Sequence, residues 1–252
     1  MKTRCLACLL SLLSLVAAVR VVGVGIAAGQ APARPAAAAP PPSVADQPLD
    51  REGPRHQLIN SRAAAGNVDV IFLGDSITQG WEGAGKDAWA KFFAPRKAMN
   101  AGISGDRTQH VLWRLENGNI KGISPKVAVI MIGTNNSGSN TSEEIAAGIT
   151  AIVKSLRTKL PQTKILLLGI FPRGAGPSDA RRKVNEGANA IVQKLADGEH
   201  VHYLDIGPKF LGADGSLSKE IMPDLLHLSP KGYEIWATNI DGKLAELLGA
   251  KR

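Results

Sequence analysis

The sequence predicts an α/β protein: a three-layer α/β/α sandwich around a five-stranded parallel sheet. Three observations predict it. Five short runs are apolar almost throughout, as strands covered on both faces must be. They alternate with stretches whose apolar residues recur every three or four positions, as in helices that pack by one face. Parallel neighbours need crossovers, and right-handed crossovers place helices on both sides of the sheet.

The elements follow in order. A leading helix is expected over Arg51–Ala65. Val68–Gly74 (VDVIFLG) is a buried strand stopped by Gly, and Lys97–Ile103 is a weaker second one. Val127–Gly133 (VAVIMIG) is the clearest strand, because β-branched residues fill it. Thr141-Ser142-Glu143-Glu144 fits a capping box, after which Ile145, Ile149, Ile152, Leu156 and Leu160 keep helical spacing until Pro161. Ile165–Phe171 (ILLLGIF) and Val201–Ile206 (VHYLDI) complete the sheet. Between them, Arg181–Leu195 puts Val184, Ala188, Ile191, Val192 and Leu195 on one helix face, and its Arg181-Arg182-Lys183 cluster reads as a solvated face. Ser229-Pro230 opens the last helix as N-cap and first-turn proline, and Trp236, Ile240, Leu244 and Leu247 run down it.

Ahead of this domain the composition changes. Lys2 and Arg4 precede an apolar run from Cys5 to Val19, interrupted at Arg20, which reads as a secretory segment over residues 1–31. Cleavage after Ala18 or after Ala31, or an uncleaved anchor, are all open. Loss of the segment removes Lys2, Arg4 and Arg20 and no acid, so the net charge falls from +8 to +5. Both cysteines, Cys5 and Cys8, would go too, leaving a chain that rests on its core alone. Gln30–Pro48 holds seven Ala and six Pro and reads as a linker, here bounded as residues 32–48, with the domain over 49–252. The modest basic excess is unclustered, and aromatics at 4% are too few for a nucleic-acid stacking platform.

In open parallel sheets, ligands collect at the carboxyl ends of the strands. The residues that fall there are Gly74-Asp75-Ser76-Ile77-Thr78, Gly102-Ile103-Ser104-Gly105-Asp106, Gly133-Thr134-Asn135-Asn136 and, past the fifth strand, Asp224-Leu225-Leu226-His227. Each alone passes for a turn. Together they offer a Ser, an Asp and a His, the parts of a nucleophilic triad, with Gly amides and an Asn for an oxyanion hole. Asp75 and Asp106 are expected to brace loops or cap helices, and His56, His110, His200 and His202 to be structural. No Gly-x-Ser-x-Gly elbow and no zinc signature occurs, and Gly80–Lys86 fits a P-loop only until Asp87, where Ser or Thr is required.

GDSIT at 74–78, NAGISGD at 100–106, GTNN at 133–136 and DLLHLSPKGY at 224–233 resemble the four sequence blocks of the SGNH (GDSL) hydrolases. With HVLWRLENG at 110–118, the pattern is similar to the platelet-activating-factor acetylhydrolase catalytic-subunit branch. The resemblance implies a flavodoxin-like sheet and a carboxylic ester hydrolase working without metal or cofactor. Ser76 would be the nucleophile, His227 its base, and Asp224 the group that holds the ring. The amides of Ser76 and Gly105 and the Asn135 side chain would bind the oxyanion. Ile77, Thr134 and Leu226 match the walls of the acyl pocket, so short acyl groups, acetyl above all, are expected.

The expected partner is a small-molecule or carbohydrate ester and no nucleic acid. A homodimer is left open, and the membrane enters only if the N-terminal segment stays uncleaved. Export, to periplasm or medium, tilts the alcohol part toward acetylated carbohydrate. The rivals are a lysophospholipase or ether-phospholipid acetylhydrolase, a non-catalytic glycan- or lipid-binding module, and a flavodoxin-like phosphate binder. The last leaves Asp224 and His227 without a role.

Overall fold

The computed structural model of the protein describes residues 44–249. The expected export segment, both cysteines and the linker up to residue 43 lie outside the described residues. Helix α1 (Pro54–Ala64) leads to β1 (Val70–Gly74), the short α2 (Ser76–Gln79) and α3 (Lys86–Phe92). Then come β2 (Ala98–Asn100), α4 (Thr108–Glu116), β3 (Val127–Met131), α5 (Ser142–Lys159), β4 (Lys164–Leu168), α6 (Ala180–Val192), β5 (Val201–Leu204) and α7 (Pro230–Leu247).

All strand pairs are parallel, and the five strands lie in the order β2-β1-β3-β4-β5. The order reverses between β1 and β3, which run in register from Val70 beside Val127 to Gly74 beside Met131. A crevice opens at that reversal, because the connections leave toward opposite faces.

The alternation within each strand explains the continuous apolar runs. Ile71, Leu73, Ala128, Ile130, Ile165 and Leu167 face one core, shared with Ile59 and Ala63 of α1, Val111 and Leu115 of α4, Ile145, Ile149, Ile152 and Leu156 of α5, and Ala188 and Val192 of α6. Phe72, Val127, Val129, Met131, Leu166 and Leu168 face the other, with Trp236, Ile240, Leu244 and Leu247 of α7. Each such aliphatic side chain contributes roughly 1.5–3 kcal/mol by leaving water. Phe72 is the hub of the second core, its ring touching those of Trp81, Trp89, Phe93 and Trp236. Most of the scarce aromatics are thus gathered in this second core.

The capping chemistry read from the sequence forms as expected. Thr141 Oγ1 accepts from the Glu144 amide while Glu144 Oε2 accepts from the Thr141 amide, and Ser229 Oγ accepts from the Gly232 amide. Four local expectations need correction. The second strand is only Ala98–Asn100, because Asn100 Oδ1 takes the Gly102 amide and turns the chain. Ile191 is 37% exposed rather than in the core face. Arg182 is no solvated residue: it is 1% exposed, and its guanidinium donates to Arg173 O, Gly174 O and Gly215 O. Within residues 44–48, which composition places in the linker, Ala45 is packed on the domain. Ala45 is fully buried, its carbonyl accepts from Thr108 Oγ1 at 2.7 Å, and a Cβ on Gly148 would lie only 2.5 Å from that carbonyl.

Candidate active site

The four tips expected to carry chemistry converge at the crevice. Ser76 is the first residue of α2, directly after β1. Asp75 caps that helix, its Oδ1 accepting from the Ile77 amide at 2.9 Å. Tyr233 of α7 donates its hydroxyl to Ile77 O at 2.6 Å, so the helix behind Ser76 is held from both sides.

The remaining two members of the expected triad arrive on the loop before α7. His227 Nε2 stands 2.8 Å from Ser76 Oγ, and His227 Nδ1 stands 2.6 Å from Asp224 Oδ2. A carboxylate only accepts, so Nδ1 carries the proton there and Nε2 accepts from the serine hydroxyl. Asp224 also organises its own loop, for Oδ1 accepts from the amides of Leu226 at 3.0 Å and His227 at 2.7 Å. Partial burial pushes its carboxyl up, but the hydrogen bonds from His227 outweigh that and hold it below its ordinary value. Leu225 pays for the tight turn with a left-handed φ of 61°, a strain of about 1–2 kcal/mol for a side chain with a Cβ. Two hydrogen bonds hold it there, Leu225 N to Met222 O and Gly174 N to Leu225 O. The side chains of His227 and Asp224 are 45% and 56% exposed, so the site opens to solvent.

Gly105 takes a φ of +77°, and a Cβ there would lie 3.0 Å from Arg51 Nη2. The loop is braced by its neighbour Asp106, fully buried and bonded by Arg114 Nε at 2.6 Å, Arg114 Nη2 at 2.9 Å and Arg51 Nη1 at 2.8 Å. Asp106 O in turn accepts from Asn135 Nδ2 at 2.8 Å, which orients that amide and leaves its second hydrogen uncommitted. Among the described residues, the amides of Ser76 and Gly105 make no hydrogen bond either. Three donors expected at the oxyanion hole are thus without a partner among the described residues, as donors kept for an anionic oxygen would be.

The expected acyl-pocket residues come less completely together. Ile77 is 1% exposed and belongs to the core beneath the site, against which Leu226 packs half-buried. Thr134 is equally buried, but its Oγ1 is engaged by Arg173 Nη1 at 3.2 Å and Asn185 Nδ2 at 3.3 Å. A groove of ≈ 680 Å³ lined by Asn60, Glu116 and Lys121 lies at the amino ends of the strands, away from Ser76.

The other groups hold the scaffold. Asp75 is fully buried with Oδ2 unpartnered, and burial raises its carboxyl to about 7. His110 accepts from the Arg107 amide and is kept neutral by burial, its pKa lowered to about 4. His56 lies against Trp113 and pairs with Asn60 and Asn119. Sequence reasoning missed Arg173, which stands at the fourth strand's tip; the signal was a charged residue in Pro172-Arg173-Gly174 directly after a buried run.

A parallel sheet with a serine, an imidazole and a carboxylate in hydrogen-bonded series at its switch point defines a carboxylic ester hydrolase of the SGNH type. The chain belongs to the GDSL-like Lipase/Acylhydrolase family, whose model matches residues 72–235. It is similar to the platelet-activating factor acetylhydrolase IB subunit alpha2 of Rattus norvegicus, 46% identical over 168 residues, covering 66% of this chain and 71% of that protein. Its fold is similar to a GDSL-like lipase from Bacteroides thetaiotaomicron (TM-score 0.61, 21% identity, 76% of this chain and 97% of that one). It is also similar in fold to a carbohydrate acetylesterase from Sinorhizobium meliloti (TM-score 0.55, 20% identity, 71% of this chain and 99% of that one).

Proposed function

We propose that this ester hydrolase removes short acyl groups, acetyl above all, in two steps through an acyl-Ser76 intermediate. His227 takes the Ser76 proton as Oγ attacks the carbonyl and returns it to the leaving alcohol. Water then repeats the sequence on the acyl-enzyme. Asp224 holds the ring and stabilises its cationic form. The Ser76 and Gly105 amides and Asn135 Nδ2 bind the oxyanion, and Ile77, Thr134 and Leu226 limit the acyl chain. The observation that carries this reading is the unbroken series Asp224 Oδ2, His227 Nδ1, His227 Nε2, Ser76 Oγ, with contacts of 2.6 and 2.8 Å.

The alcohol part we assign to acetylated carbohydrate, outside the cytoplasm, on the strength of the N-terminal segment and of the solvent-open site. A second reading, an ether-phospholipid acetylhydrolase, is favoured by the 46% identity to a relative of that name. Rates on p-nitrophenyl esters of rising chain length, on acetylated xylan and on an acetyl ether phospholipid separate them. Preference for the phospholipid over every sugar acetate would overturn the carbohydrate assignment, and turnover by Ser76→Ala would overturn the mechanism.

A further inference from the structure

Two guanidinium groups near the strand tips, those of Arg173 and Arg181, have no carboxylate in ion-pair contact among the described residues. Arg173, half-buried, donates through Nη1 to Thr134 O at 3.1 Å and to Thr134 Oγ1 at 3.2 Å. Thr134 precedes Asn135. The next residue, Gly174, donates its amide to Leu225 O at 2.9 Å, and Leu225 follows Asp224. Arg173 is therefore strapped between the oxyanion side and the triad loop. The strap is stiff, because the buried Arg182 guanidinium holds both Arg173 O at 2.8 Å and Gly174 O at 2.9 Å.

Nε and Nη2 of Arg173 make no hydrogen bond among the described residues, and neither is sealed from solvent. The acids that act on Arg173 do so from a distance, each hydrogen-bonded elsewhere or buried. Asp179 caps α6 through the Arg182 amide, Asp224 holds His227, and Asp75 is buried. Arg181 opposes it: together with burial, that like charge holds the Arg173 guanidinium below its ordinary value. Arg181 is exposed and lies over Gly138, where a Cβ would sit 3.5 Å from its Cζ. Gly138 belongs to the same loop as Asn135. Open donors on a half-buried cation, with a second cation nearby, offer an anion charge-assisted hydrogen bonds. Guanidinium donors suit the paired oxygens of a carboxylate or a phosphate in particular.

We infer that the site takes esters whose alcohol part carries a carboxylate or phosphate, bound by Arg173 and Arg181 while the acyl carbonyl sits against Ser76. The inference rests on the esterase reading above and narrows it. The acyl part has the half-buried apolar Leu226 to lie on, which leaves the cationic rim to the alcohol.

Three matched acetyl esters test this: 3-acetoxybenzoate, its methyl ester, and 3-acetoxyphenyl phosphate. Each kcat/KM is divided by the hydroxide-catalysed rate of the same ester, which removes leaving-group effects. The full chain should prefer at least one charged ester over the methyl ester by about tenfold, as charge-assisted hydrogen bonds allow. Which charged ester wins tells carboxylate from phosphate. Arg181→Gln and Arg173→Gln should each lower that ratio severalfold, mainly through KM, and 0.5 M NaCl should lower it in the unaltered chain. The methyl ester reports on folding and catalysis in every variant. A ratio of one or less with both charged esters, or a ratio that neither variant moves, overturns the inference and leaves the esterase reading standing. If no ester is turned over, the esterase reading falls and this inference falls with it.

Discussion

Asp75→Asn should stabilise the protein above neutral pH and lose that advantage in acid. The carboxyl lies fully buried behind the nucleophile, with Oδ1 on the Ile77 amide and Oδ2 unpartnered. Burial first, and Asp106 further off, raise its pKa from 3.8 to about 7. An acid with a raised pKa folds most easily when protonated. Its contribution is complete below pH 3.8 and is withdrawn progressively as pH climbs to about 7. A gap of about three pH units corresponds to roughly 4 kcal/mol at most. Asn keeps the cap acceptor and stays neutral, but its new N–H₂ must find a partner, a loss of about 1–3 kcal/mol. The net gain at pH 8 is then about 1–3 kcal/mol, or roughly 3–10 °C in Tm for a domain of this size. The assay is thermal unfolding of variant and parent side by side from pH 4.5 to 8.5. Pairing matters, because His110 slopes the other way. Its pKa, lowered to about 4, makes stability fall as pH drops from 6.5 toward 4. A Tm difference that stays constant across the range, or that favours the parent at pH 8, would refute the buried neutral carboxyl.

Three further outcomes follow from the same geometry. His110→Gln should lessen acid destabilisation between pH 6.5 and 4, by up to about 3 kcal/mol, with denaturant midpoints as the check. Asn135→Ala should cut kcat by about 10²-fold or more with little change in KM, since its free hydrogen meets charge only in the transition state; a pure KM effect would place it in ground-state binding. Leu226→Ala should raise butyryl over acetyl turnover if that side chain walls the acyl group. Uniform loss across chain lengths, with lower stability, would assign it to the core it already touches.

Much of this was legible because the sheet is buried on both faces. VIFLG, VAVIM and KILLL have no polar face to blur their ends, and Gly or Asp marks each tip. Ser76 stood out as a candidate for the same reason, since polar residues begin sharply where β1 ends, whereas Asp224 and His227 lie on the loop before α7, well past β5, and no strand end marks them. What escaped depends on contacts distant in sequence. Arg182 looks like part of a basic surface run, and only backbone carbonyls of residues 173, 174 and 215 make its burial tolerable. Ala45 sits in a stretch whose composition says linker, and only the space above Gly148 seats it. Ile77 and Leu226 fall beside the nucleophile and base, but spacing cannot tell a pocket wall from a core residue one layer down.

Covalent capture tests directly whether Ser76 is a nucleophile activated by His227. The intact protein is treated with a fluorophosphonate and the adduct is mapped by mass spectrometry. One phosphonate per chain is expected, on Ser76, formed at least about 10³-fold more slowly in His227→Ala, since the hydroxyl then lacks its base. An adduct on another serine, or labelling of Ser76 at an unchanged rate without His227, would contradict it.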